Sequence, residues 1–220
     1  MKAVIFDLDG VIVSTDEYHF KAWKRIADEE GIHFNREINE NLRGVSRMES
    51  LEIILKGSVR PYKQEEKVRL AQRKNNYYRE LLENLTPEDL LPGVIPVLRE
   101  LKKRGIGIAI GSSSKNSPLI LEKIELCGYF DAVADGNDIT HSKPDPEVFL
   151  LAAKKLGVNP SECVVVEDAD AGIEAALAGG MKAVGVGYAS NSQGIHYGVK
   201  NLSFIEVEEL LRDIDKEAIE

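Results

Sequence analysis

Residues 2–6, KAVIF, form a near-continuous apolar run that stops at Asp7. A run of that kind predicts a strand buried on both faces of a parallel sheet. Similar runs recur at 105–111 (GIGIAIG), 131–135 (DAVAD), 162–168 (ECVVVED) and 181–187 (MKAVGVG). Segments of helical period lie between them. In 94–105, Val94, Val97, Leu98 and Leu101 fall on one stripe, and Gly105 is a stop signal. Segments 116–128, 146–157 and 171–180 repeat the helical pattern. Strand followed by helix, several times over, predicts an α/β fold with a doubly wound parallel-sheet core.

Residues 15–90 interrupt that alternation with helical patterns alone, at 15–30, 46–56 and 64–84. Several helices between the first and second strands are too much for one crossover connection. They predict an inserted all-helical cap domain at 15–90, with residues 1–14 and 91–220 as the α/β core. Ligands of open α/β sheets bind at the carboxyl ends of the strands, and the cap is expected to close there. Near the end of the chain, Ser203 and Glu206 have capping-box spacing. They predict the start of a helix with Val207, Leu210, Leu211 and Ile214 on one face.

Composition narrows the possibilities. The chain has 220 residues, 43% hydrophobic and 30% charged, as a folded globular protein would. No apolar run approaches the roughly 20 residues of a membrane span, and the N-terminal run has no small-residue cleavage site. A cytoplasmic protein without membrane partners is expected, and a monomer. A net charge of −9 argues against a nucleic-acid partner but leaves room for a phosphorylated small molecule. Cys127 and Cys163 lack any C-x-x-C spacing and are expected to be reduced, packed thiols.

The candidate chemistry lies at the strand ends. Asp7 and Asp9, in FDLDG, stand two residues apart, with Gly10 permitting a tight turn. Alone, such a pair is as well explained by a solvated Asx turn. Glu167 and Asp168 end another buried strand, however, and would lie beside Asp7. Carboxylates crowded at one edge need a counter-charge, and a hard cation with oxygen ligands, Mg²⁺ above all, supplies it. In GSSSKN, 111–116, hydroxyls and backbone N–H groups lead into a helix. That is an anion site, or a helix cap by Ser114 or Asn116, or both. Lys143, before two prolines, is by itself an ordinary surface lysine.

Taken together and in order, FDLDGV, IGSSSKN, SKPDP and VVVEDADAG resemble the motifs of the haloacid dehalogenase superfamily across the whole sheet domain. The resemblance implies Asp7 as nucleophile, Asp9 as general acid/base, Ser112 on the phosphoryl oxygens and Lys143 offsetting charge. It also implies Mg²⁺ held by Asp7, the Asp9 carbonyl, Glu167 and Asp168. Within that superfamily the cap resembles the β-phosphoglucomutase family, through Thr15–Trp23, the RGVSR segment at 43–47 and RKNNYY at 73–78, together with SSSKN. This implies interconversion of β-D-glucose 1-phosphate and glucose 6-phosphate through a 1,6-bisphosphate. A phosphatase acting on small-sugar or polyol phosphates is the alternative. A mutase needs a second phosphate site, for which Gly44, Val45, Ser46 and Arg47 are candidates, with Lys74, Ser114, Lys115 and Asn116. Ser46 is equally explained by a capping box with Glu49. The same resemblance gives Thr15 and His19 a catalytic part, His19 by orienting Asp9. Trp23 either walls the sugar site or belongs to the cap's core.

Overall fold

A computed structural model describes residues 1–42 and 45–216, with side chains through Arg212. The chain divides into two compact units, Met1–Ser14 with Thr86–Glu220, and Thr15–Leu85. The second crossing falls at Thr86 rather than residue 91. The reason is local: Leu90 bridges Val13, and the Leu91 N–H donates to the Ile12 carbonyl, which ties 86–91 to the first strand's exit.

The larger unit carries six strands, β1 (Ala3–Phe6), β2 (Gly107–Gly111), β3 (Ala132–Ala134), β4 (Cys163–Glu167), β5 (Lys182–Val186) and β6 (Tyr197–Val199). They lie in the order β3-β2-β1-β4-β5-β6, and every pair is parallel. The order reverses at β1, between β2 and β4, which is where an open α/β sheet leaves its crevice. Register brings Phe6 opposite Val166 on one side and Ile110 on the other. Asp7, Glu167 and Gly111 therefore leave the sheet at one level.

Parallel strands covered on both faces must be apolar throughout, and these are: all four residues of β1 and all five of β4 are buried. Side chains alternate across the sheet, so Ala3, Ile5, Ala109, Val165 and Ala183 face one way. They form a core with Phe149 and Ala152 of α7 (Glu147–Leu156) and Ile173 and Ala176 of α8 (Asp170–Ala178). Helix α5 (Val94–Lys103) buries the predicted stripe of Val94, Val97, Leu98 and Leu101.

The 116–128 segment is helical only over Ser117–Lys123 (α6). It ends in a turn with Glu125 at φ 57° and Gly128 at φ 70°. Cys127 lies on that turn and is exposed, contrary to the expectation of two packed thiols, while Cys163 is buried in β4. Ser203 does not open the last helix. Its hydroxyl and N–H both donate to the Asn201 side chain in a short 3₁₀ turn, and the C-terminal helix begins at Val207.

The smaller unit contains α1 (Asp16–Glu29), α2 (Arg36–Glu40), α3 (Arg47–Leu55) and α4 (Gln64–Leu82). Trp23, Ile26 and Ala27 lie on one side of α1 and pack with Leu51 and Ile54 of α3 and Leu70 and Ala71 of α4. Burial of that face, rather than intrinsic propensity, holds such helices. No helix among the described residues is long and apolar enough to cross a membrane.

Candidate active site

Asp7 follows β1 and is 6% exposed; its N–H donates to the Val166 carbonyl at 2.9 Å, which fixes it against β4. Lys143 is 8% exposed, not the surface lysine its sequence context alone suggests. Its ammonium donates to Asp7 Oδ1 and to Glu167 Oε1, each at 2.5 Å. Burial alone would lower the Lys143 pKa. The two carboxylates outweigh burial and hold it above the ordinary lysine value, so the group is a permanent cation. Burial raises Glu167, with Asp7 adding to the effect and Lys143 opposing it.

Glu167 uses its second oxygen as well: Oε2 accepts the N–H groups of Asp168 and Ala169 at 2.8 and 3.0 Å. Asp168 is brought against the D-x-D-G turn. Gly10 has φ +87°, and a Cβ there would stand 2.1 Å from Asp168 Oδ2. Only glycine meets both demands. Carboxylate oxygens of Asp7, Glu167 and Asp168 all come within 4.8 Å of one another. Three carboxylates against one ammonium leave two negative charges to balance, and every ligand atom is a hard oxygen. The set suits a divalent cation of the magnesium or calcium type. Asp9, half-buried, lies in the turn between Asp7 and Gly10 and bridges to Val13.

Ser112 is 2% exposed and follows β2; its N–H donates to the Ala134 carbonyl, and its hydroxyl accepts the Ser114 N–H at 3.2 Å. The helix-cap alternative is not realised by the Asn116 side chain. Asn116 precedes α6 without capping it, and the Ser114 hydroxyl accepts the Asn116 N–H instead. Lys115 is exposed and Asn116 buried. The loop after β3, unforeseen from sequence, braces this one: Asn137 Nδ2 donates to the Lys115 carbonyl at 3.1 Å, and Gly136 N–H to the Ser114 carbonyl at 3.2 Å.

The smaller unit gathers a second set. Thr15 shares a 2.7 Å hydrogen bond with the Tyr78 hydroxyl. His19 Nδ1 lies 2.7 Å from Lys74 Nζ, and its ring is 4.1 Å from that of Tyr78. An ammonium only donates, so Nδ1 accepts and the ring proton sits on Nε2. Burial, and then the charges of Lys74 and Arg47, hold the His19 pKa well below 6.5, so the ring is neutral. Lys74 is 2% exposed, between the rings of Trp23 and Tyr78 at 4.9 and 4.7 Å. Trp23 belongs to the packed core of this unit. Tyr78 was not singled out from sequence. Its signal was available: Leu70, Lys74, Tyr78 and Leu82 recur every four residues on the buried face of α4, and a lysine inside such a stripe is anomalous.

Ser46 forms the capping box of α3. Its hydroxyl accepts the Glu49 N–H, and Glu49 accepts the Ser46 N–H. Arg47 follows, half-buried, with its pKa lowered by burial, and Val45 is 37% exposed. Gly44 lies outside the described residues.

The chain matches the family model for haloacid dehalogenase-like hydrolases over residues 1–180. It is 48% identical to the β-phosphoglucomutase of Bacillus subtilis over 210 residues, covering 94% of this chain and 93% of that one. A crystal structure of β-phosphoglucomutase from Clostridium difficile superposes with a TM-score of 0.93 at 39% identity, covering both chains in full. The phosphorylated carbohydrates phosphatase of Thermotoga maritima is 32% identical over 84% of each chain.

Proposed function

Because the chain belongs to the haloacid dehalogenase-like hydrolase family, we propose that it interconverts β-D-glucose 1-phosphate and glucose 6-phosphate through an aspartyl-phosphate at Asp7. The observation that carries this reading is 48% identity to a β-phosphoglucomutase across nearly both full chains. The buried Asp7–Lys143–Glu167 cluster supports the chemistry.

Asp7 places one oxygen on Lys143, and the other attacks phosphorus. The new P–O bond forms as the bond to the sugar oxygen breaks, and Asp9 protonates the departing oxygen. In the reverse sense Asp9 takes the proton of the accepting sugar hydroxyl, which recovers the phosphoryl group from Asp7. Two such transfers, through a 1,6-bisphosphate, move phosphate between C1 and C6. Lys143 lowers the repulsion between an anionic nucleophile and an anionic phosphate, and Ser112 donates to a phosphoryl oxygen. Asp7, the Asp9 carbonyl, Glu167 and Asp168 would hold magnesium, which would supply further charge neutralisation. Arg47, with Ser46, takes the distal phosphate that distinguishes a mutase from a hydrolase.

The test supplies pure protein with β-glucose 1-phosphate, Mg²⁺ and a trace of the bisphosphate. Glucose 6-phosphate is the expected product. Inorganic phosphate released without it would replace this reading by a sugar-phosphate phosphatase, the activity named for the Thermotoga relative.

A further inference from the structure

Glu167 ends β4, and Gly172 lies in the first turn of α8. A Cβ at Gly172 would stand 2.0 Å from Glu167 Cδ and Oε1 and 2.5 Å from Cγ, where real Cβ atoms essentially never come under 3.0 Å. The carboxyl group occupies the room that a side chain at 172 would fill. A glutamate arm ordinarily swings aside from such an obstacle. This one is pinned, because Oε1 is held by Lys143 and Oε2 by two backbone N–H groups. Glycine is not needed there for backbone reasons: Gly172 is helical, where glycine is a poorer helix former than alanine. The close approach of Glu167 is what remains to explain it.

We propose that Gly172 is a positioning residue, whose missing side chain seats the Glu167 carboxyl between Lys143 and the cation-binding oxygens. The inference rests on the phosphoryl-transfer reading of this site. It is tested by titration calorimetry with Mg²⁺ and by thermal unfolding in EDTA, on wild type, Gly172→Ala, Glu167→Ala and the double variant. Gly172→Ala should weaken Mg²⁺ binding about 10–100-fold, as loss of a ligand's support does. In the Glu167→Ala background the added methyl meets no carboxyl, and the same change should alter affinity less than about twofold. Equal losses in both backgrounds, or none in either, overturn the proposal. If Gly172→Ala does not fold, a folded double variant still upholds the contact, and an unfolded one overturns it. A wild-type protein that takes up no Mg²⁺ defeats the cation reading itself, and this inference with it.

Discussion

Lys143 sits between two buried carboxylates, and that position makes its removal informative. An ion pair buried this deeply adds little net stability as a pair, but breaking it strands charge away from water. Lys143→Met should therefore lower unfolding stability in EDTA by about 3–5 kcal/mol, read from urea denaturation. A loss below about 1 kcal/mol would show that solvent or rearrangement compensates. Asp7→Asn keeps the shape and removes the nucleophile. It should abolish both turnover and the mass increment of the phosphoenzyme, and near-normal turnover would refute the assignment. At this scale the sequence identified the charges but not their contacts. Lys143 looked like a surface residue because nothing in SKPDP reports the distant Asp7 and Glu167 that bury it.

Among the elements, burial of His19 within the helices, and then the charges of Lys74 on α4 and Arg47 on α3, hold its ring neutral. A histidine whose folded pKa lies below its unfolded value near 6.5 stabilises the fold fully above that pH. As pH falls below it, the unfolded chain binds the proton more readily and the contribution drains away, by at most about 1.4 kcal/mol per unit. Thermal melts from pH 8 to 5 should show a shallower acid decline in His19→Gln than in wild type. Parallel curves would mean that other groups set the acid limit. Ser46→Ala should remove the α3 capping box at a cost of about 1 kcal/mol, measured by chemical denaturation. The long helices and five of the strands were legible, since each carries its own periodicity. Helix α2 (five residues) and strand β6 (Tyr-Gly-Val) were not: α2 is too short to show a period, and β6 lacks the apolar run that marked β3, also three residues long. β6 is a strand only through its pairing with β5.

For the molecule as a whole, the question is which product leaves. Arg47→Ala should depress mutase flux about 10–100-fold more than hydrolysis of a small test phosphate, the weight of a hydrogen bond to a charged group. Equal losses would count against a distal clamp. The β anomer of glucose 1-phosphate should exceed the α anomer by about 100-fold in kcat/KM, because moving the reacting oxygen by about 1 Å costs that much. Comparable rates would argue for a permissive phosphatase. The sequence by itself determined the sheet-and-helix alternation, the helical insertion and the order of the carboxylate, serine and lysine motifs. Those properties reside in periods and spacings within a few residues of one another. Only the tertiary structure decided that Lys143 bridges Asp7 and Glu167, 136 and 24 residues away, that Thr15 meets Tyr78 across 63 residues, and that Gly172 leaves room for a carboxyl group. Such contacts follow from strand register and helix packing, which no local stretch of chain encodes.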